Sequence, residues 1–243
     1  MYKTFIFDYD DTLAWNMHDY SEPQLEFFRF AIKKLGPKCP DVQILANLEA
    51  ETDSACVKVH GFKMERFPLS FQETYRVLCQ RVGVEPMPKD LQRAYAIGMK
   101  AYDEARYRKQ GLVEGAVETL DFLAGRDGNE LILLTKGDER VQQKKIEATG
   151  VRRWFGNRVN IVPKKDAKAL DDVVGMRNKM LTWHIGNSVR SDVNPAVEAR
   201  IGMIYVPCET WAYEREHQGL PDYLRLLKVD TLADIITHYE RLP

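Results

Sequence analysis

Short apolar runs separated by amphipathic segments mark out this chain. Residues 5–7 form an apolar run bounded by polar positions, and similar runs occur at 131–134, 181–185 and 203–206. A shorter run follows at 160–162. Uninterrupted apolar runs of this length are typical of strands buried on both faces, and the intervening segments have the punctuation of helices. The alternation predicts an α/β fold, a doubly wound parallel sheet covered by helices.

The stretch 15–110 has a different pattern. No run in it resembles a buried strand, whereas apolar residues recur there at helical spacing, and Ser70 with Glu73 predicts a capped helix start. The basic segment before that point, which contains Arg66, is typical of a solvated loop, although it could touch an anionic substrate. We therefore predict a core domain of residues 1–14 and 111–243, with an inserted helical domain at 15–110.

Composition narrows the classes of partner. The 243 residues include 35 basic and 36 acidic side chains, which leaves a net charge of −1. Such a balance favours neither nucleic acid nor a membrane surface as a partner. The four cysteines form no C-x-x-C pair, and the apolar run near the start is too short for a secretory signal. We expect a cytoplasmic protein with reduced thiols; its oligomeric state stays unknown.

Acidic side chains are crowded directly after the first predicted strand. Asp8 and Asp10 lie two positions apart and would point to the same side of an extended chain. Two carboxylates in one place repel each other, and an Mg²⁺ ion between them would relieve the repulsion. A D-x-D pattern by itself is more often the start of a turn or a helix cap, and Asp11 fits that role.

Polar side chains at the ends of the later strands favour a ligand site over a simple turn or helix cap. Three of the predicted strands are followed by polar side chains, which are Thr135, the pair Lys164 and Lys165, and Asn187 with Asp192. Ligands of a doubly wound sheet bind beyond the carboxyl ends of its strands, so these groups could converge on one crevice. Carboxylates, a hydroxyl and a lysine around Mg²⁺ are the components of a phosphoryl-transfer site.

These segments also resemble a known family. The series "FIFDYDDTL", "LLTKGD", "VPKKD" and "HIGNSVRSDVNPA" is similar, in order and spacing, to the four motifs of the haloacid dehalogenase (HAD) superfamily. The resemblance covers residues 1–14 and 111–243, which implies a Rossmann-like HAD core. The insertion at 15–110 resembles the helical C1 cap of subfamily I.

The resemblance implies a role for each motif residue. Asp8 would be the nucleophile that forms an aspartyl-phosphate, and Asp10 the general acid and base. Members that cleave carbon–halogen bonds lack this second aspartate, so Asp10 favours phosphoryl chemistry. Thr135 would hydrogen-bond the phosphoryl group, and Lys165 would pair with it. Lys164 remains the alternative, although a lysine directly before Asp166 fits the family pattern better.

The implied metal site departs from the usual pattern. By resemblance, Mg²⁺ would bind the Asp8 carboxylate, the Asp10 main-chain carbonyl and the fourth motif. Asn187 stands where most members have an aspartate, and an amide oxygen still suits Mg²⁺ but lacks the charge. Asp192 would compensate, either near the metal or by holding Lys165. We predict weaker Mg²⁺ binding than at an aspartate-bearing site.

The favoured function is a Mg²⁺-dependent phosphatase that hydrolyses a small phosphorylated metabolite. Two alternatives stay open: a phosphotransferase or phosphomutase with the same nucleophile, and a binding protein of this fold with little turnover. The segment 209–217 could border the crevice, but its aromatic residues Trp211 and Tyr213 are more typical of packing. His184 lies within an apolar run and is expected in the core, and Lys136 is expected at the rim.

Overall fold

A six-stranded parallel sheet forms the centre of the larger part of the molecule. The computed structural model describes residues 2–208 and 219–243. The strand order is β3-β2-β1-β4-β5-β6, with every neighbouring pair parallel. The strands are β1 Thr4–Phe7, β2 Glu130–Lys136, β3 Val159–Val162, β4 Thr182–Gly186, β5 Gly202–Tyr205 and β6 Leu226–Lys228. The predicted parallel α/β sheet is therefore confirmed.

Both faces of the sheet are covered, as the uninterrupted apolar strands predict. Along β1, Phe5 and Phe7 pack into one core cluster and Ile6 into another, because successive side chains of a strand point to opposite faces. Helices complete each cluster. These helices are α6 Ala116–Ala124, α7 Glu139–Thr149, α8 Arg152–Phe155, α9 Ala167–Val174, α10 Asn194–Glu198 and α11 Asp234–His238.

The chain divides into two compact units. The core unit comprises Met1–Asn16 and Tyr107–Pro243, and the helical unit comprises Met17–Arg106. The helical unit has an apolar core of its own, which includes Phe27, Phe71 and Leu78. Its helices are α1 Met17–Leu35, α2 Val42–His60, α3 Arg66–Arg81 and α4 Pro88–Met99, and α5 Glu104–Gln110 crosses the division. No helix within the described residues is long and apolar enough to cross a bilayer.

Some local predictions fail for identifiable reasons. The helix that was expected to begin at Ser70 begins at Arg66, and the Ser70 hydroxyl donates to the Phe67 carbonyl inside it. Arg66 is thus buried in a helix and does not lie in a solvated loop. Strand β6 was not predicted because its three residues are too short to form a recognisable apolar run.

Candidate active site

The candidate site lies at the carboxyl ends of the central strands. The strand order places β1 between β2 and β4, and the direction of chain connection reverses between β1 and β4. Asp8 continues β1 by one residue, and its amide donates to the Ile185 carbonyl of β4 at 2.8 Å. Asn187 directly follows β4. This is the crevice in which an open α/β sheet binds its ligands.

A tight turn after β1 brings a further hydroxyl to Asp8. The Tyr9 carbonyl accepts from the amides of Leu13 and Ala14 at 2.9 and 3.0 Å. Asp11 adopts a left-handed conformation, with φ of 57°, and its side chain accepts from the Asn16 amide. The turn role considered for Asp11 matches this geometry. Thr12, which the sequence did not single out, donates through its hydroxyl to Asp8 Oδ2 at 3.0 Å.

Lys165 links two buried carboxylates. Its ammonium group contacts Asp8 Oδ1, and it lies 2.5 Å from Asp192 Oδ1. Lys164 is by contrast largely exposed and pairs with Asp166 at 2.9 Å. Of the two lysines that the sequence left open, Lys165 is the one that the structure brings to Asp8.

Asp192 is bound on both oxygens by groups of the protein. Oδ1 also contacts His184 Nε2 at 2.9 Å, and Oδ2 accepts from the Ser188 amide at 2.9 Å. The second His184 nitrogen lies 3.0 Å from the Ile6 carbonyl, so this core histidine ties Asp192 to β1. A Cβ on Gly186 would lie 2.3 Å from Asp192 Cγ, so only glycine fits there. Of the two roles considered for Asp192, the structure has the contact with Lys165.

Burial and neighbouring charges set the ionisation of this group. Burial raises the pKa of Asp8 to about 7, with the nearby Asp192 charge acting in the same direction and Lys165 opposing it. Burial also disfavours a charged Asp192, but Lys165 and the bond from His184 outweigh it and hold the Asp192 pKa well below its usual range. Asp192 is therefore the carboxylate that stays ionised beside Lys165. Asp8 is the carboxylate whose protonation changes near neutral pH.

Asp10 has a separate set of partners. Lys145 Nζ lies 2.9 Å from Oδ1, and Gln142 Nε2 lies 2.7 Å from Oδ2. Neither partner was predicted from the sequence, because polar residues on a lysine-rich helix ordinarily indicate a solvated face. The spacing of three residues between Gln142 and Lys145 could have indicated a shared role, since it places both on one face of α7.

Two further groups belong to strand β2 and its end. The Thr135 hydroxyl is buried and has no hydrogen-bond partner among the described residues, so it can bond an incoming ligand. Lys136, expected at the rim, is half-buried and donates to Ser191 Oγ at 2.8 Å. The segment 209–217 lies outside the described residues.

Several oxygen atoms of the kind that a hard cation prefers lie near Asp8. The Thr12 hydroxyl lies 3.0 Å from Asp8 Oδ2 and 3.3 Å from Asn187 Oδ1, so it brings these two oxygens into one neighbourhood. Oxygen donors are what Mg²⁺ prefers. Within the described residues no three His, Cys, Asp or Glu side chains form a group that could hold a metal ion. The Asp192 carboxylate contacts Lys165, His184 and the Ser188 amide, and its role as a metal ligand stays a prediction.

Comparison with known proteins supports the fold directly. No family model matches the chain. No curated protein matches it either. Among solved structures, a haloacid dehalogenase-like hydrolase from Xanthomonas campestris is 24% identical with a TM-score of 0.75, over 99% of this chain and 91% of the other.

Further solved structures are also similar to this chain. The HAD hydrolase YfnB from Bacillus subtilis, bound to magnesium, is 16% identical with a TM-score of 0.59, over 99% and 98% of the two chains. A predicted phosphoglycolate phosphatase from Haemophilus somnus is 17% identical with a TM-score of 0.63, over 98% of each chain. Haloacid dehalogenases are also similar. The chain therefore has the fold of the haloacid dehalogenase-like hydrolases.

Proposed function

We propose that the chain is a HAD-superfamily enzyme, a Mg²⁺-dependent phosphatase that acts on a small phosphomonoester through an aspartyl-phosphate on Asp8. The observation that carries the proposal is the pair of carboxylates in unlike surroundings. Asp8 is buried against Lys165, and Asp10 is partly exposed and held by Lys145 and Gln142. Lys165 favours the ionised form of Asp8 that a nucleophile needs, and the partial exposure of Asp10 lets it exchange protons.

The chemistry follows from these positions. An Asp8 oxygen attacks phosphorus, the ester P–O bond breaks, and Asp10 gives its proton to the departing oxygen. Asp10 then takes a proton from water, which attacks the phosphorus of the aspartyl-phosphate and releases phosphate and Asp8. Lys165 and the Thr135 hydroxyl would bind phosphoryl oxygens. Proton transfer of this kind contributes about 10²–10⁴ in rate.

Residues that would hold the metal are Asp8, the Asp10 carbonyl and Asn187. When bound, Mg²⁺ would neutralise phosphoryl oxygens and reduce their repulsion with Asp8. The magnesium reported in the Bacillus subtilis relative is consistent with this assignment. Asp10 argues against carbon–halogen cleavage, since a dehalogenase has no leaving oxygen to protonate.

The test is a panel of phosphomonoesters, with wild type, Asp8→Asn and, as the matched control, the exposed Asp127→Asn. We expect Mg²⁺-dependent release of inorganic phosphate that a chelator abolishes. Asp8→Asn should lower it by a factor of about 10⁴ or more, because the nucleophile is lost. Asp127→Asn should match wild type.

The outcomes separate the alternatives. Steady phosphate release without any added acceptor supports a hydrolase, whereas release that requires an acceptor alcohol supports a phosphotransferase. Full turnover by Asp8→Asn would contradict the nucleophile. Wild type that releases no phosphate from any member of the panel would favour a binding protein.

A further inference from the structure

One face of α7 is directed at the turn that follows β1. Three polar residues share one face of this helix: Gln142, Lys145, which is three positions further on, and Thr149, which is four positions beyond Lys145. The Thr149 hydroxyl lies 2.9 Å from the Tyr9 hydroxyl, next to the contacts that the other two make with Asp10. Helix α7 thus contacts consecutive residues of the turn, and two of its three contacts end on a single carboxylate.

The Asp10 carboxylate is fixed on both oxygens by different donors. Lys145 binds Oδ1 and Gln142 binds Oδ2, at 2.9 and 2.7 Å. Two donors on opposite oxygens prevent the carboxylate from rotating about its last bond. Each carboxylate oxygen has two acceptor positions, so each retains one after this contact. Asp10 is therefore held in place with capacity left for a proton and a substrate.

The two donors are themselves immobilised. The Lys145 ammonium also contacts Asn16 Oδ1 and lies 5.6 Å from the centre of the Tyr107 ring. Its side chain is 4% exposed, against 24% for Asp10, so the lysine lies beneath the carboxylate. Gln142 has a second bond to the Lys136 carbonyl at 3.2 Å. A surface ion pair has none of these restraints.

We propose that Lys145 and Gln142 are positioning residues for Asp10, which hold its carboxyl group in line with the oxygen that it protonates. The inference rests on the proposed phosphatase function and assigns a step of it to helix α7. A general acid must lie within hydrogen-bond reach of the leaving oxygen, and a small misplacement costs about a hundredfold in rate. A purely structural brace would have no such dependence on the leaving group.

The dependence on the leaving group provides the test. Wild type and Lys145→Met are compared on a series of substituted phenyl phosphates, from 4-nitrophenyl to unsubstituted phenyl to 4-methoxyphenyl phosphate. 4-Nitrophenolate departs without a proton, whereas the poorer leaving groups need one. We expect Lys145→Met to lose kcat/KM by about 10²–10³ on phenyl phosphate and by tenfold or less on 4-nitrophenyl phosphate. The plot against leaving-group pKa should therefore become steeper.

Three variants control the comparison. Lys144→Met removes the exposed lysine one position away and should keep the wild-type slope. Lys145→Arg keeps the charge and should restore much of the lost rate on phenyl phosphate. Gln142→Met keeps the buried volume and should give a smaller loss, roughly tenfold, since it removes one of the two contacts that hold the Asp10 carboxyl group. It also provides a second test if Lys145→Met does not fold.

The Asp10→Asn background shows whether the lysine acts through Asp10. There the slope is already steep, and adding Lys145→Met should not change it further. An equal loss of rate on every phenyl phosphate, or an additive effect in the Asp10→Asn background, would overturn the positioning role while the phosphatase function stands. If wild type hydrolyses no phenyl phosphate and no member of the earlier panel, the proposed function fails and this inference fails with it.

Discussion

Two buried groups of charges, one in each unit, have the same formal composition. Each consists of two carboxylates and one cation, with a net charge of −1 when all are ionised. We call them the core cluster, which is Asp8, Asp192 and Lys165, and the helical cluster, which is Glu49, Asp53 and Arg66. They nevertheless differ in how they hold their protons.

Both carboxylates of the helical cluster resist ionisation. Burial raises the pKa of Glu49 to about 8, and the neighbouring Asp53 adds to the effect, whereas Gln24 and Arg66 oppose it. Burial also raises the pKa of Asp53, although Arg66 contacts it directly. In the core cluster only the pKa of Asp8 is raised, and that of Asp192 is lowered, so Asp192 stays ionised. The helical cluster thus retains a proton near neutral pH.

The difference lies in the donors that each fold can provide. Asp192 is in the turn after a strand, where the Ser188 amide is available and the His184 side chain reaches it from β4. Glu49 lies within helix α2, whose amides are used by the helix itself, so it depends on the side chain of Gln24 at 2.5 Å. Strand ends can therefore stabilise several charges for chemistry, whereas helix faces stabilise few.

Removing the two cations gives the largest expected contrast. Lys165→Met leaves the ionised Asp192 beside Asp8, and we expect it to lower the free energy of unfolding of the core unit by about 3–5 kcal/mol. Arg66→Met should cost the helical unit about half as much, because burial already raises the pKa of both its carboxylates and they can take up a proton when the cation is removed.

Each unit has its own probe for this measurement. All four tryptophans lie outside Met17–Arg106, so their fluorescence during urea unfolding follows the core unit. Labelling of the buried Cys79 thiol, read by mass spectrometry, follows opening of the helical unit. Lys164→Met, at an exposed lysine, is the control and should have little effect. Equal losses for Lys165→Met and Arg66→Met would contradict the distinction between the clusters.

The proton on Glu49 predicts a pH dependence of the helical unit. Its folded pKa of about 8 lies above the ordinary value of 4.5, so between these values the folded state binds more protons than the unfolded state. The contribution of Glu49 to stability is therefore fully present below pH 4.5 and is lost as the pH rises to about 8. We expect a loss of about 2–4 kcal/mol across this range.

Glu49→Gln keeps the shape and removes the titration. The variant should open less often than wild type at pH 8, and the advantage should shrink as the pH falls. Comparing the two proteins at each pH by Cys79 labelling cancels the pH dependence of the thiol itself. Glu73→Gln, at a half-exposed glutamate of α3, serves as the control. A constant difference between Glu49→Gln and wild type at all pH values would refute the buried proton.

The same contrast explains what the sequence could and could not predict. Asp8, Thr135 and Asn187 follow apolar runs that become strands, so topology alone brings them to one edge of the sheet. Arg66 and Lys145 lie on helices, where a charged residue usually indicates solvent. Their burial depends on which helix face packs inward and which carboxylate it meets, and such long-range pairing leaves no local pattern.

The smallest expected effect concerns an amide side chain that lies beside each cluster. Asn187→Asp and Gln24→Glu both convert an amide into a carboxylate of the same shape, beside Asp8 and Glu49 respectively. Without Mg²⁺, each should lower the melting temperature of its unit, because like charges are brought together. With Mg²⁺, Asn187→Asp should recover its stability, whereas Gln24→Glu should not, since we propose no metal site beside Glu49.

Asn187→Asp should also reach half-saturation with Mg²⁺ at a concentration about tenfold lower than wild type, since it adds a full charge to the ligand set. Melting curves recorded at increasing Mg²⁺ give this value without reference to catalysis. An unchanged half-saturation concentration would mean that Asn187 does not weaken the metal site. Recovery of Gln24→Glu by Mg²⁺ would mean that the helical cluster can also bind a cation, and the two clusters would then differ less than their donors suggest.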